Sequence, residues 1–534
     1  MSKDEAATTT MADENNVSDN ALVKEGFWRH WRAFLYCSIA CLGGLQLGLD
    51  LGSIAGMQAM PGFLMVFGYV DKTATFGYGI QPTVQTLINS LMSLGAFLAA
   101  MLAGPLGRFV SRKWSMVIAI VFNAVGVILM IAATSFGGLY AGRFIVGIAN
   151  GLFDVIPQLY IHESAPAHQR GTLLGMFNVL VGIGLLIGSI IDNYTAPILS
   201  RASYQIPLGI FFVMPATIGV ALPFMPETPR WLIEHDQPGK AREALAKLRH
   251  KRTNPVLIDM ELEAIRQAFD HEKALVDGVP VLDLFRKTNL RRTLLSWGLM
   301  TSLGGSGSLM FLVYGTYFFS VAGQTAAFAE SIGMTAAGLV ATLISMWVIT
   351  KIGRRTILLL GFLIQAICML VLALIYHKDT LSVAAGKVLV AFTIIYLFFY
   401  NFCIAPYVYL SAGEIPTQRL RGYTLGSAIG IAFFWNWLVS FTAPYFLNPL
   451  KLNWGGRYGY IWFGSNICII IFIFFFVPET KDRTLEEIDE MFEQKIPALK
   501  FKGYKCVQAA NIGLTETNMA MHNKEGVPQH VEAL

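Results

Sequence analysis

The chain has 534 residues, of which 54% are hydrophobic and only 14% charged, with a mean hydropathy of +0.53. Soluble domains carry about 25% charged residues, so this deficit excludes an ordinary soluble enzyme and places the chain among polytopic membrane proteins. The formal charge of +5 is small, so its distribution matters more than its size, and no nucleic-acid partner is expected.

Residues 1–30, rich in Thr, Asn, Asp and Glu, read as a disordered cytosolic tail. They lack the basic n-region and short apolar core of a cleaved signal peptide. Six apolar runs follow, near 34–57, 83–103, 114–133, 139–160, 172–191 and 206–225. Each approaches the roughly 20 residues a spanning helix needs. Residues 226–293 are polar, and a second six runs lie near 294–321, 331–350, 356–376, 385–410, 424–445 and 458–477. The predicted fold is an all-α membrane protein of twelve transmembrane helices. Six-helix bundles at 31–225 and 294–477 are joined by a cytosolic helical linker at 226–293, and 478–534 forms a cytosolic tail. Two-fold repeats of this kind place a solute site between the halves near the midplane, with the lipid bilayer around them.

In the linker, Pro238–His250 and Leu257–Phe269 space apolar residues at helical intervals between charges. Short amphipathic helices under the bundle are expected, with a solvated linker as the alternative. Orientation follows from the loops. One side carries Arg108, Arg112 and Lys113, then Arg170, the linker, Lys351, Arg354 and Arg355, and finally Arg419 and Arg421. The other side carries few charges, so both termini and the linker are predicted to be cytosolic. Asn193-Tyr194-Thr195 would then face outside as a glycosylation acceptor. Cysteines 37, 41, 368, 403, 468 and 506 show no metal-ligand or paired spacing and read as small hydrophobes.

Charges inside spanning helices are costly and usually functional. Asp50 lies late in the first span and Arg143 early in the fourth, which runs the opposite way. Both should sit at similar depth, where a carboxylate facing a guanidinium is a natural place for proton exchange. A static pair holding two helices together is the alternative. No P-loop, metal-ligand cluster or nucleophile motif is present, so neither an enzyme nor a bound cofactor is expected, with a proton gradient as the driving force.

The motifs GRFIVGIANG at 142–151, Pro157 with Tyr160 and Glu163, Arg170-Gly171, PETPRWL at 226–232, GRR at 353–355, AGEIPTQRLRG at 412–422 and VPETKDRTLEEID at 477–489 occur in order. Together they resemble the sugar porters of the major facilitator superfamily, the fungal branch in particular, over roughly residues 30–495. The resemblance implies two bundles that rock about a central site, a plasma-membrane location by family default, and a monomer as sufficient. It also gives Glu163, Glu414, Arg170, Arg421, Arg112, Arg354, Glu227 and Glu479 a gating role. Their cytosolic contacts would form facing outward and break facing inward; positive-inside anchoring is the alternative for the arginines.

The sequence departs from the family in two places. Arg108 and Ser111 stand where the family has aspartate and glycine, and Thr350 where it has aspartate, so the inner gate is expected to be differently wired. The sugar-holding amides are also depleted. Asn178 replaces a glutamine, Asn436 matches, Leu303 and Gly304 occupy glutamine positions, Leu309 an asparagine position, and Tyr409 that of a tryptophan. Gln158, Ser306, Ser308, Tyr314 and Tyr317 are candidates to compensate. The expected function is secondary active transport of a sugar or sugar-like solute by proton symport. Polyol or cyclic-acid transport, export of a small fungal metabolite, and a non-transporting sensor are the alternatives. Asp154, 11 residues after Arg143 on nearly the same face and ~16 Å deeper, reads as a second proton site, a ligand for a cationic group, or a carboxylate bonded to a neighbouring helix.

Overall fold

The computed structural model describes residues 31–70, 77–249, 255–276, 281–349, 351–376, 383–481, 483 and 485–504. The spans of the first half are α1 (Trp31–Met57), α3 (Pro82–Phe109), α4 (Arg112–Ala132), α5 (Phe136–Ser164), α6 (Ala167–Thr195) and the pair α7 (Ala202–Ile210) and α8 (Val213–Ala221). Between α1 and α3 a short helix, α2 (Pro61–Phe67), precedes a two-residue antiparallel pairing of β1 (Tyr69–Val70) with β2 (Tyr78–Gly79). The linker holds α9 (Pro229–Glu234), α10 (Pro238–Leu248) and α11 (Pro255–Val276).

The second half comprises α12 (Lys287–Gly305), α13 (Ser308–Val321), α14 (Ala327–Val348), α15 (Arg354–Ile375), α16 (Val383–Phe399), α17 (Ala405–Glu414), α18 (Arg421–Leu447) and α19 (Gly459–Phe476). With α7–α8, α12–α13 and α16–α17 each taken as one crossing, twelve spans result. Eleven of them are long and apolar enough to cross a bilayer as continuous segments. The remaining one is the seventh.

That span, expected to be one helix over 294–321, starts at Lys287 and breaks between Gly305 and Ser308. Gly307 has φ of +88°, a conformation that side chains disfavour. Its absent Cβ would lie 2.5 Å from the Trp462 ring. The carbonyls freed by the break find donors. Tyr396 Oη donates to Ser306 O at 2.7 Å, Asn466 Nδ2 to the same oxygen at 3.2 Å, and Ser465 Oγ to Gly305 O at 2.7 Å. Irregular backbone survives at membrane depth only when buried and satisfied in this way. In the tenth span, Pro406 lacks an N–H, and a π turn at Tyr400–Ile404 separates α16 from α17.

Close helix contact in the first bundle comes from glycines at four-residue spacing. Gly44, Gly48 and Gly52 of α1 meet the α6 backbone, and a Cβ on Gly48 would lie 2.1 Å from Val181 O. Without a hydrophobic force between helices in lipid, such small residues allow the approach that dispersion requires. The linker packs beneath this bundle. Trp231 Nε1 donates to Gly107 O at 3.2 Å, and Arg249 pairs with Glu261 and reaches Ser164 O at 3.4 Å. On the second bundle, α20 (Leu485–Glu493) docks on the start of α12 through an Arg292–Asp489 pair, with the Arg292 guanidinium 4.6 Å over Phe492. The sequence marks the start of this stretch by the VPETKDRTLEEID motif and assigns it to the cytosolic tail 478–534.

Candidate functional site

Asp50 and Arg143 meet. Arg143 Nη1 lies 2.7 Å from Asp50 Oδ1, with side-chain exposures of 1% and 0%. Asn150 Nδ2 donates to the other carboxylate oxygen at 2.7 Å, and Arg143 Nε donates to Ile88 O at 3.1 Å. Asn150 follows Arg143 by two turns of α5 and so shares its face. The sequence reading missed it, although that spacing was its signal. A buried carboxylate is tolerated only when paired and hydrogen-bonded. Here both oxygens have donors, one of them a guanidinium.

This pair adjoins a cavity between the bundles, with ≈890 Å³ of empty space including its open side. Its polar lining comes mostly from the first half: Asn89, Ser93, Arg143, Asn150 and Asp154. The second half adds Tyr409, Asn436 and Ser440, set among Leu309, Val313, Ala432 and Phe433. Tyr409 is 50% exposed, and among the described residues the Asn436 amide has no hydrogen-bond partner.

Six other substrate candidates do not line the cavity, the buried Ser308 and Tyr317 among them. Gln158 Nε2 is committed to Asp154, at 2.9 Å to its backbone oxygen and 3.1 Å to Oδ1. Asn178 is exposed and bonds Leu174 O of its own helix. The Ser306 hydroxyl bonds Leu303 O at 2.7 Å inside the helix break. Tyr314 is buried behind Val313 and Ser440, where its hydroxyl ties α13 to α18 at Ser440 O, 2.7 Å away. Gly304, at an expected glutamine position, opens no room, since a Cβ there would lie 2.4 Å from that of Trp435. Leu309, at an expected asparagine position, does face the cavity.

At the linker face, two matched networks occur. Arg112 grips Glu163 bidentately, at 2.9 and 2.6 Å, and Thr228 Oγ1 donates to Glu163 Oε2 at 2.6 Å. In the second half Arg354 meets Glu414 at 3.1 Å and Thr480 Oγ1 donates to Glu414 at 2.6 Å. Glu479 accepts from Arg354 N at 2.8 Å and Arg355 N at 3.2 Å, and Glu227 accepts from Lys113 N at 3.4 Å. These two carboxylates sit on the N-termini of α15 and α4, where free N–H groups and the helix dipole favour an anion. Ser111 caps α4 too, its Oγ accepting from Trp114 N. Thr228 and Thr480 escaped the sequence reading.

Each of these ion pairs lies within one bundle. Among the described residues Arg170 and Arg421 have no carboxylate within ion-pair distance, and Arg170 Nε is buried without a partner. The side chain of Arg108 and residue Thr350 lie outside the described residues. Hydrogen bonds between bundles occur at the opposite face: Thr86 Oγ1 to Phe441 O at 3.2 Å, and Asn448 Nδ2 to Ile80 O at 2.8 Å. Asn193 is half-buried in the last turn of α6, and the Thr195 hydroxyl is bonded to Ile191 O at 3.0 Å.

Twelve spans in two bundles around a central cavity, with duplicated carboxylate–arginine networks at one face, define a membrane transporter of the major facilitator type. The family model described as "Sugar (and other) transporter" matches residues 36–492, and the chain belongs to that sugar porter family. It is similar to a major facilitator-type transporter, ecdD, of Aspergillus rugulosus, at 30% identity with 86% of this chain and 87% of that one covered. Hexose transporter 2 of Kluyveromyces lactis is 27% identical, covering 90% and 87%. The fold matches a partially occluded, inward-open structure of the xylose transporter XylE from E. coli, with a TM-score of 0.67 and 21% identity over 85% of this chain and 99% of that one.

Proposed function

We propose that this protein is a proton-coupled symporter that moves a sugar-like small solute by alternating access. The observation that carries this reading is the buried Asp50–Arg143–Asn150 cluster at the wall of the cavity between the bundles. Protonating Asp50 would cancel the charge that holds Arg143, and the freed guanidinium and amide could then rearrange against a bound solute. Proton release would restore the pair. Coupling of this kind needs a carboxylate whose protonation changes a contact shared with the cavity, and Asn150 supplies it by touching both.

The Arg112–Glu163–Thr228 and Arg354–Glu414–Thr480 networks act as rigid supports of the linker face in this reading. Arg170 and Arg421, without an ion-pair partner among the described residues, are the cations available to cross between bundles when that face closes. With hydrogen bonds joining the bundles at the opposite face, we take the present form as open toward the linker. We place the linker and both termini in the cytosol and the protein in the plasma membrane.

The solute is read as less hydroxylated than a hexose, because Leu309, Val313 and Phe433 occupy a wall where amides would serve hydroxyls. A polyol, a cyclic acid or an exported metabolite fits that wall as a second reading. Uptake of labelled hexoses, xylose, polyols and quinate by a yeast strain lacking its own hexose carriers tests the choice. Protonophore-sensitive uptake of any of them is expected. Surface-localised protein that imports none of them would shift the reading to export.

A further inference from the structure

One charge in the cavity is left over. Asp154 lines it, yet among the described residues it has no ion-pair partner. Its side chain receives one donor, from Gln158 Nε2 at 3.1 Å. The amide's orientation is settled by the companion bond to Asp154 O at 2.9 Å, since a backbone carbonyl only accepts. Gln158 therefore holds the carboxylate in place without neutralising it. Arg143, the guanidinium lining the same cavity, is already committed to Asp50.

The cavity lining and the ion pair behind it thus set one guanidinium against two carboxylates, Asp50 and Asp154. While water fills the cavity, the excess negative charge is solvated. When the bundles close around a solute and water leaves, an unmatched charge in an apolar surround is strongly disfavoured. The remainder of the lining points to what matches it. Tyr409 is half exposed to the cavity and Phe433 lines the same space, offering aromatic faces that favour a cation. Asn436 and Ser93 add neutral polar groups to the same lining.

Resting on the reading of this cavity as the solute site, we propose that Asp154 is the counter-ion for a positively charged group on the solute. The class is a sugar- or polyol-sized molecule bearing a protonated amine. Asp154 would then be a specificity-determining residue, separate from the Asp50–Arg143 pair that carries the coupling proton.

The test uses the full-length protein in proteoliposomes with two matched probe pairs: glucosamine against glucose, and N-methylglucamine against sorbitol. Uptake and equilibrium binding are both measured. Wild type is expected to favour the amine in at least one pair by roughly tenfold or more, the range that loss of a charged contact spans. Asp154→Asn, of nearly identical shape, should erase that ratio, and Asp154→Glu should keep most of it. An amine-to-neutral ratio that Asp154→Asn leaves unchanged overturns the proposal. So does a change only in the number of protons moved per solute, which would make Asp154 a second proton carrier. Amine binding that depends on Asp154 without any uptake would support the subsite while rejecting the transport reading. Neutral uptake with no amine preference would do the reverse.

Discussion

The two halves of this protein agree at the linker face and differ in the membrane interior. At the face, arginine, glutamate and threonine recur as Arg112, Glu163 and Thr228 and as Arg354, Glu414 and Thr480, with the two threonine bonds equal at 2.6 Å. In the interior, the first half carries Asp50, Arg143 and Asp154 on helices locked by glycine contacts. Among the described residues the second half lines the cavity with no charge, and it breaks its first span at Gly307. Duplication has kept the support on both sides, whereas charge has been concentrated on one side. On the proposed coupling, a proton would be handled by one bundle while the other supplies shape.

The comparison can be broken at several points. The Arg112–Glu163 pair is deeply buried, with side-chain exposures of 7% and 5%, whereas Arg354 and Glu414 stand at 15% and 17%. Glu163→Ala should therefore cost about 3 kcal/mol or more, as for a buried charge left alone, and Glu414→Ala clearly less. Thermal unfolding in detergent measures both, and equal losses would mean that burial does not distinguish the two networks. Next in size is Gly48→Ala, which forces α1 from α6 and should cost about 1–3 kcal/mol. Gly464→Ala, with open space at the added methyl, should be neutral by the same assay. The smallest effect is expected for Thr228→Val and Thr480→Val, each about 1 kcal/mol and equal to one another. A marked difference between these two would show that the matched geometry hides unequal roles.

Much of this was legible in the sequence. The twelve spans follow from runs of apolar residues, which hydropathy registers directly, and Asp50 and Arg143 stood out because charge in such runs is rare. Asn150, in a helix, and Thr228 and Thr480, just outside one, stayed hidden because a neutral polar residue stands out far less than a charge, even when its partner is a carboxylate. Ser306 and Tyr314 looked like ligands for a solute. In the structure they serve backbone groups, because a broken helix in a membrane must satisfy its own carbonyls and join its neighbours. That Trp435 packs against Gly304 was invisible in one dimension, since the two lie four spans apart in sequence. The glycine spacing in α1 was present to be read, and its meaning depended on which helix it faced.

The central claim, that one bundle handles the proton, is tested most directly by solute accumulation in proteoliposomes under an imposed pH gradient, comparing wild type with Asp50→Asn. The account predicts protonophore-sensitive accumulation by wild type. It predicts no accumulation above equilibrium by the variant, with exchange of labelled for unlabelled solute retained. Full uphill accumulation by Asp50→Asn would contradict it and leave the Asp50–Arg143 pair as a structural tie.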